Sequence, residues 1–407
     1  MAVENNDPRL DALRKAMSRR GFLATAGATG AAAALAACGT GSSSSSSASA
    51  GANAAPVATP SDISATDKTL TWANWTLYLD YDKEKKVYPS LVEFEKQTGI
   101  KVTYKEDIED NATFNGKVQG QMKNGQDIGY DLVTPTDWNA GNWIRQGWAA
   151  QLDEAAVPNK KNILPQLADV QFDPGRKYSL TWQSGFAGLA WNKAKVPAGL
   201  KTVNDLWNAA LKGKVVVLSE MRDTIGLIML SQGVDISGPF TNDQFMAALD
   251  VLQQQVDSGQ VKQVKGNSYK EDLINGQAFA AIAWSGDIFQ LNAENGDQWG
   301  FALPESGGTL WSDNLLIPAT SPRKSNAEKL MNYYYQPEKA AEVAAYVNYV
   351  CPVQGAQQAM EKIDPKLAQS EWIFPTSATL DNAKVFRPLT PQEQAEYSKA
   401  FGTVIQG

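Results

Sequence analysis

Apolar and polar positions between residues 70 and 135 follow two alternating periods. Strand-like runs occupy residues 70–75, 100–104 and 130–135, and the segments between them are predicted helices at residues 89–98 and 111–123. Gly99 follows the first helix, where a left-handed residue closes the last turn. The order strand, helix, strand, helix, strand predicts a parallel sheet with helices on its faces.

The second half of the chain returns to this alternation. A glycine-punctuated apolar segment at residues 178–192 leads to a capping box at Thr202–Asp205. The β-branched run at residues 213–218 predicts a central strand, and residues 278–284 predict another buried strand. Helices are predicted at residues 223–231 and 242–257, and later helices begin at Ser325, Pro337 and Thr390. A second α/β lobe is therefore expected.

Residues 310–318, Leu-Trp-Ser-Asp-Asn-Leu-Leu-Ile-Pro, open with an aromatic residue and a carboxylate and continue as an apolar run closed by proline. In an extended segment, Trp311 and Asp313 point to the same face. An aromatic ring beside a carboxylate suits an organic cation. We expect the chain to cross between the lobes here, with a site in the crease. A core tryptophan beside a surface aspartate is the alternative.

The N-terminal part of the chain has the pattern of an exported lipoprotein. Ser18–Leu23 resembles the twin-arginine export motif, and the alanine-rich run that follows is shorter than a membrane span of roughly 20 residues. Leu35–Cys38 looks like a lipobox. Residues 1–37 are therefore predicted to be a signal peptide and Cys38 the lipidated residue. Residues 38–67, rich in glycine, serine and alanine, are predicted to be a disordered tether.

Composition limits the chemistry that the chain can perform. The chain has 407 residues, enough for two domains, with 12 tryptophans and no histidine. The lack of histidine excludes Ser-His-Asp catalysis and histidine-ligated metals. The formal charge of −7 becomes about −9 when the signal peptide, with five cationic and three acidic side chains, is removed. This acidity argues against a nucleic-acid partner. With Cys38 lipidated, Cys351 has no disulfide partner.

Aromatic and acidic residues recur where the predicted strands end. In open α/β sheets, ligands bind beyond the carboxyl ends of the strands, so the recurrence predicts a site there. Each tryptophan taken alone is also compatible with a core position. The residues concerned are Trp75, Tyr78, Asp137, Trp138, Glu220, Asp223 and Trp284.

Several short segments of the mature sequence form one recognisable set. They are Asn74-Trp75-Thr76 with Tyr78, Tyr130-Asp131-Leu132-Val133, Gly213 through Glu220 and Asp223, Trp284-Ser285-Gly286, Gly307-Gly308, Trp311-Ser312-Asp313 and Leu316-Ile317-Pro318-Ala319. Through these segments, and over essentially all of the mature sequence, the chain resembles the spermidine/putrescine-binding receptors of bacterial ABC importers. The resemblance implies a type II periplasmic-binding-protein fold, which is α/β with two lobes, crossing hinge strands and a cleft between the lobes. The lobes would comprise residues 68–188 with 312–357, and residues 189–311 with 358–407.

The same resemblance implies a polyamine slot with aromatic walls and acids that hold the amino groups. The walls would be Trp75, Tyr78, Trp138, Trp284, Trp311 and Tyr349, and the acids Glu220, Asp223 and Asp313. Thr76, Thr136, Asp137, Ser268 and Arg387 complete the predicted ligand-binding residues. Two positions depart from the family pattern. Arg387 stands in place of a glutamine, and Leu77 stands where a glutamate often occurs. If Arg387 faces the cleft, a zwitterionic ligand is favoured. If it is a surface arginine, a polyamine remains the predicted ligand.

The predicted function is that of an extracytoplasmic receptor, held at the membrane by a lipid anchor, that binds putrescine or spermidine and delivers it to an ABC permease. We expect a monomer with no enzymatic activity, no cofactor, no metal and no nucleic-acid partner. Two alternatives stay open. One is the same fold with a zwitterionic amine or amino acid derivative as ligand. The other is an anchored glycoside hydrolase that uses Glu220 and Asp223. The position of both acids within one helical turn argues against the hydrolase.

Overall fold

The computed structural model describes residues 60–406. The predicted signal peptide, Cys38 and the tether up to residue 59 lie outside the described residues. The last part of the predicted tether contacts the domain, since Ser64 is buried and the Asp67 carboxylate lies 2.7 Å from the Arg323 guanidinium. Within residues 60–406, no helix is both long and apolar enough to cross a membrane.

The strands and helices alternate along most of the described chain. The strands are β1 (Thr69–Trp75), β2 (Lys101–Ile108), β3 (Leu132–Val133), β4 (Ser179–Asn192), β5 (Val215–Leu218), β6 (Val261–Lys265), β7 (Ala280–Trp284), β8 (Trp299–Ala302), β9 (Gly308–Leu316) and β10 (Ala383–Lys384). The α-helices are α1 (Pro89–Thr98), α2 (Asn111–Lys123), α3 (Asp137–Arg145), α4 (Pro165–Ala168), α5 (Met221–Ser231), α6 (Asn242–Asp257), α7 (Tyr269–Ile274), α8 (Ser285–Asn295), α9 (Lys324–Tyr334), α10 (Pro337–Val347), α11 (Ala356–Ile363), α12 (Ser377–Asp381) and α13 (Pro391–Gln406).

One mixed sheet has the strand order β2-β1-β3-β9-β4-β7-β5-β6, with β10 on β9 and β8 on β4. The strands on either side of the centre pair in parallel, β1 with β2 and β3, and β5 with β6 and β7. The two central strands, β4 and β9, pair antiparallel with each other. The sequence therefore predicted the parallel halves correctly.

β4 and β9 are the strands that cross between the halves. Residues 179–187 of β4 pair with β9, and residues 187–192 pair with β7 and β8. At its other end, β9 reaches β3 through the pair Leu316–Val133. The segment 310–318, predicted to cross between the lobes, lies largely in β9 and does so.

The two largest apolar cores of residues 60–406 lie on the two halves of the sheet. The first is built around Trp72 and Phe94, and the second around Val216 and Phe245. Full burial of such side chains contributes about 1.5–3 kcal/mol each, so packing holds each half together. Met360 of α11 is buried in the first core, although the sequence assigned residues from 358 onward to the second lobe. The chain returns to the second core from Phe386 onward, through Leu389 and the last helix.

Most of the predicted helix ends are confirmed. Gly99 closes α1 in the left-handed region with φ 72°, and Thr241 caps α6 by accepting from the Gln244 amide. The capping box at Thr202 opens a 3₁₀-helix. The expected cap at Ser325 is wrong, because α9 begins at Lys324 and the Glu328 carboxylate instead accepts the Asp153 backbone N–H at 2.7 Å.

Candidate functional site

Trp311 and Asp313 lie on one face of the crossing strand β9. In the β4–β9 pairing, Gly185 is opposite Trp311 and Gln183 is opposite Asp313. A Cβ atom at Gly185 would lie 2.5 Å from the Trp311 indole, so the ring rests directly on the β4 backbone. Paired residues in an antiparallel sheet share a face, which places Gln183, Trp311 and Asp313 together.

The Asp313 carboxylate is buried and held by hydroxyl groups. The Tyr78 hydroxyl donates to Oδ2 at 2.9 Å, and the Thr136 hydroxyl donates to Oδ1 at 2.6 Å. Burial raises the pKa of Asp313 to about 7; the two hydroxyls oppose this shift, and the charges of Asp137 and Glu220 add to it. A cation beside Asp313 would favour its ionised form.

Gln183 was missed in the sequence. Its side chain is 2% exposed, and Oε1 has no hydrogen-bond partner among residues 60–406. A buried carbonyl oxygen without a donor costs free energy, and it lies on the same face as Asp313. The signal was available, since Gln183 is a large amide within the apolar run 178–192.

Four aromatic rings follow one another between two buried carboxylates. We call Tyr78, Tyr349, Trp311 and Trp284 the aromatic row. Ring centres are 5.8 Å apart from Tyr78 to Tyr349, 5.3 Å from Tyr349 to Trp311 and 6.5 Å from Trp311 to Trp284. Each neighbouring pair meets edge to face, a favoured arrangement for aromatic rings.

Tyr349 closes the row against the second half of the molecule. A Cβ atom at Gly286 of α8 would lie 2.7 Å from the Tyr349 ring, so only glycine leaves room for it. The Tyr349 hydroxyl donates to Oδ1 of Asp287 at 3.0 Å. The Lys270 ammonium lies 3.1 Å from the same carboxylate and neutralises it.

Asp223 stands at the other end of the aromatic row. Its Oδ2 accepts the Trp284 indole N–H at 2.8 Å, and its Oδ1 accepts the Thr309 hydroxyl at 2.7 Å. Burial raises the pKa of Asp223 to about 7, and the neighbouring charge of Glu220 raises it further. The aromatic row, Asp313 and Asp223 together form what we call the slot.

A second group, the Arg222 cluster, adjoins Asp223 and consists of Arg222, Glu220, Trp138 and Gln394. Glu220 is the N-cap of α5, which begins two residues earlier than predicted. The Arg222 guanidinium lies 4.8 Å from the centre of the Trp138 ring and 3.8 Å from the Glu220 carboxylate, and it donates to Gln394. Burial lowers the pKa of Arg222 to about 10, so the group stays cationic at neutral pH.

Arg222, and not the predicted Arg387, is the arginine that lies beside the slot. Arg387 donates to the Glu393 carboxylate at 2.6 Å, and its guanidinium lies 4.0 Å from the centre of the Phe240 ring. The hydrogen bonds of Arg387 within residues 60–406 thus go to its own neighbourhood and not to the slot. The sequence places Arg222 two residues after Glu220, on the first turn of a helix, but does not indicate which side chains it contacts.

Other predicted site residues take different positions. The Trp75 indole N–H donates to the Thr134 carbonyl at 2.8 Å. The Asp137 carboxylate accepts from the Ser312 amide at 3.0 Å and from Asn314 at 2.9 Å, and burial raises its pKa to about 6. Asp137 thus fastens α3 to β9. Thr76 and Ser268 are both half-buried, and Ser268 precedes α7 without forming a side-chain cap hydrogen bond there.

The donors of the slot suit an organic cation better than a metal ion. Across residues 60–406, no group of three or more metal-ligating side chains comes together. Aromatic rings separate the two slot carboxylates. Each carboxylate accepts hydrogen bonds from hydroxyl or indole groups and still has lone pairs free for a ligand. Such an arrangement accepts hydrogen bonds from two positive groups joined by an apolar segment.

The chain is similar to known polyamine-binding proteins. It is 27% identical over 321 residues to the spermidine/putrescine-binding periplasmic protein of Escherichia coli, covering 78% of this chain and 86% of that one. It is 28% identical over 305 residues to the putrescine-binding periplasmic protein PotF of Escherichia coli, and this alignment covers 70% of this chain and 78% of PotF.

A solved structure from Listeria monocytogenes, provisionally described as a spermidine/putrescine ABC transporter, aligns with a TM-score of 0.71 at 27% identity. The alignment covers 83% of this chain and 99% of that one. The likeness confirms the predicted two-lobe α/β fold. A family model matches residues 90–376, and the family consists of extracytoplasmic receptors rather than enzymes. The chain therefore belongs to the bacterial extracellular solute-binding proteins.

Proposed function

We propose that this chain is a receptor that binds a polyamine in the slot and delivers it to the permease of an ABC importer. The observation that carries the proposal is the aromatic row with a buried carboxylate at each end, Asp313 beside Tyr78 and Asp223 beside Trp284. The names of the Escherichia coli relatives support the same ligand class.

The chemistry of a polyamine explains each part of this arrangement. A flexible polycation loses its hydration on binding, so each ammonium group needs a carboxylate. The methylene chain needs flat apolar walls, and an ammonium over a ring face gains ~0.5–2 kcal/mol. The orphaned Oε1 of Gln183 is an acceptor beside Asp313, and an ammonium group has donors to offer both. Together these contacts suffice for micromolar affinity, about −8 kcal/mol.

Titration calorimetry on the purified chain tests the proposal. We expect putrescine or spermidine to bind with a Kd at or below the micromolar range and a stoichiometry of one. The neutral chain analogue 1-butanol serves as the control and should give no binding heat. If no diamine or triamine binds, the proposal is wrong.

A second candidate ligand is favoured by Arg222. A guanidinium in the Arg222 cluster, 3.8 Å from Glu220, is a group that a carboxylate can bind in bidentate fashion. An ω-amino acid would then place its ammonium at Asp313 and its carboxylate at Arg222. Adding γ-aminobutyrate to the same titrations separates the two candidates, since only the zwitterion gains from the guanidinium.

The export and anchoring of the receptor are also proposed. The twin-arginine motif and the lipobox at Cys38 support a chain that leaves the cytoplasm folded and stays bound to the membrane by a lipid. Replacing Cys38 by alanine should move the protein from the membrane fraction to the soluble extracytoplasmic fraction. Unchanged membrane retention of that variant would count against lipidation at this residue.

A further inference from the structure

We infer that Arg222 makes the receptor selective for a diamine over a triamine. The inference rests on the proposed function, because it concerns the same slot. It follows from the number of uncompensated charges around the slot and from the position of the guanidinium.

Some of the buried acids around the slot are already compensated. The Asp287 carboxylate has the Lys270 ammonium at 3.1 Å. Asp137 accepts two hydrogen bonds that fasten β9, and the buried cation Arg176 is bonded to Asn314, one of its partners. Neither acid is therefore free to hold an ammonium group of a ligand.

Within residues 60–406, the remaining charges of the slot and the Arg222 cluster are three carboxylates, Glu220, Asp223 and Asp313, and one guanidinium, Arg222. Asp110 also acts on Glu220 and Arg145 on Arg222, and their opposite charges cancel in the count. Three negative charges against one positive charge leave two negative charges. Buried charge requires compensation, so the slot is matched by two positive charges on the ligand. A diamine carries two ammonium groups at neutral pH, and a linear triamine carries three.

The geometry agrees with this count. Asp313 and Asp223 lie at opposite ends of the aromatic row, where the two ammonium groups of a diamine would bind. The third carboxylate, Glu220, is already 3.8 Å from the Arg222 guanidinium. The guanidinium also lies over the Trp138 ring at 4.8 Å, which is a cation–π position of the kind an ammonium would use.

Arg222 thus acts as a third cation supplied by the protein. Its side chain is 11% exposed, it donates to Gln394, and burial keeps solvent from screening its charge. A triamine that extended beyond Asp223 would bring its third ammonium group towards this like charge. The result is discrimination against the longer polycation at the Arg222 end of the slot.

The experiment compares the Kd values of putrescine and spermidine by titration calorimetry for four forms of the full chain. The forms are the wild type, Arg222→Gln, Arg222→Lys and Arg387→Gln. Arg222→Gln removes the charge and keeps much of the length, Arg222→Lys retains a cation, and Arg387→Gln removes an arginine outside the slot. Thermal unfolding verifies that each variant is folded.

We expect wild type to bind putrescine at least tenfold more tightly than spermidine. Arg222→Gln should bring the ratio of the two Kd values to one or below, while Arg222→Lys and Arg387→Gln keep the wild-type preference. A wild type that prefers spermidine would overturn this inference and leave the proposed function standing. So would an Arg222→Gln variant that weakens both amines by the same factor.

Two further outcomes are decisive. If Arg222→Gln does not fold, the wild type and Arg222→Lys still test the preference, because an inverted ratio in either contradicts it. If the wild type binds no amine at all, both this inference and the proposed function are wrong. The two failures are therefore distinguishable.

Discussion

The two ends of the slot hold their carboxylates by different means. At one end, Asp313 is surrounded by neutral hydroxyl groups from Tyr78 and Thr136, with the amide of Gln183 on the same face. At the other end, Asp223 adjoins a guanidinium, that of Arg222. At the first end the partners of the carboxylate are neutral, whereas the second end already contains a cation.

This difference teaches that a count of acids does not give the charge that a ligand must carry. Hydroxyl groups stabilise a carboxylate and leave its negative charge to the ligand, whereas a guanidinium cancels one charge before any ligand arrives. On the proposed function, the Asp313 end provides binding energy for a primary amine, and the Arg222 end limits how many amines the ligand can have.

The largest expected effect on binding comes from removing Asp313, the acid whose hydrogen-bond partners are neutral hydroxyl groups. Asp313→Ala should weaken amine binding by about 10²–10³-fold, because loss of one partner of a buried charge pair costs roughly 3–5 kcal/mol. Asp137→Asn changes an acid whose hydrogen bonds go to Ser312 and Asn314 of β9; it is the matched control and should change the affinity far less. Calorimetry on both variants checks this, and equal losses would show that Asp313 has no special role.

A second effect is a dependence of binding on pH. Asp313 and Asp223 have pKa values raised to about 7, mainly by burial, and an ammonium ligand binds their ionised forms. Between pH 8 and pH 6 the affinity should fall by up to about 100-fold, tenfold for each group. Titrations in buffers of different ionisation enthalpy should show proton release at pH 7, and uptake would contradict the assignment.

The stability of the ligand-free protein should change in the opposite direction. A raised pKa in the folded state means that the unfolded chain binds fewer protons between about pH 4 and pH 7, so stability falls as pH rises through that interval. The ligand-free protein should therefore melt at a higher temperature at pH 5 than at pH 8. Asp313→Asn should reduce this difference, and an unchanged difference would argue against Asp313 as one of its sources.

A smaller effect is expected at Gln183. Gln183→Leu should weaken amine binding about tenfold, because the ligand loses one hydrogen-bond acceptor, worth roughly 1.5 kcal/mol with a charged donor. Stability should stay the same or rise, since an unpartnered buried oxygen is removed. Gln183→Glu keeps an acceptor and should retain binding. Wild-type affinity in the leucine variant would exclude a contact between this oxygen and the ligand.

The smallest effect on binding is expected at Arg387. Arg387→Gln should leave the affinity unchanged and lower stability by about 0.5–1 kcal/mol at pH 7. The Arg387 guanidinium lowers the pKa of Glu393 to about 2, so the contribution is present above about pH 4.5 and is lost as pH falls towards 2. Denaturant unfolding at pH 7 and pH 3 measures this change.

Local pattern predicted most of the fold. The helix beginning at Pro391 has the expected reciprocal cap between Thr390 and Glu393, and the β-branched run at residues 213–218 contains β5. The strand predicted at 130–135 is confined to Leu132–Val133. The residues on either side form long-range hydrogen bonds, Asp131 with Ser321 and Thr136 with Asp313. Such contacts join residues far apart in sequence and leave no local signal.

The sequence predicted the part of the slot whose residues lie close together on one strand. Trp311 and Asp313 share a face because they are two residues apart on a strand, which the sequence alone establishes. The role of Arg222 was not predictable, because its neighbours Trp138 and Gln394 come from elements joined only by the fold. The position of Arg387 was not predictable for the same reason. Its partner Glu393 was predicted only as part of a helix cap, and not as the partner of an arginine.

Tyr349 and Gly286 belong to opposite halves of the molecule, and their contact depends on the absence of a single side chain. A methyl group at position 286 would occupy the space that the phenol ring fills and would hold the halves apart. One substitution, Gly286→Ala, would then separate the halves and leave Asp313 in place. Its effect on amine binding would measure how far the ligand site depends on the two halves being in contact.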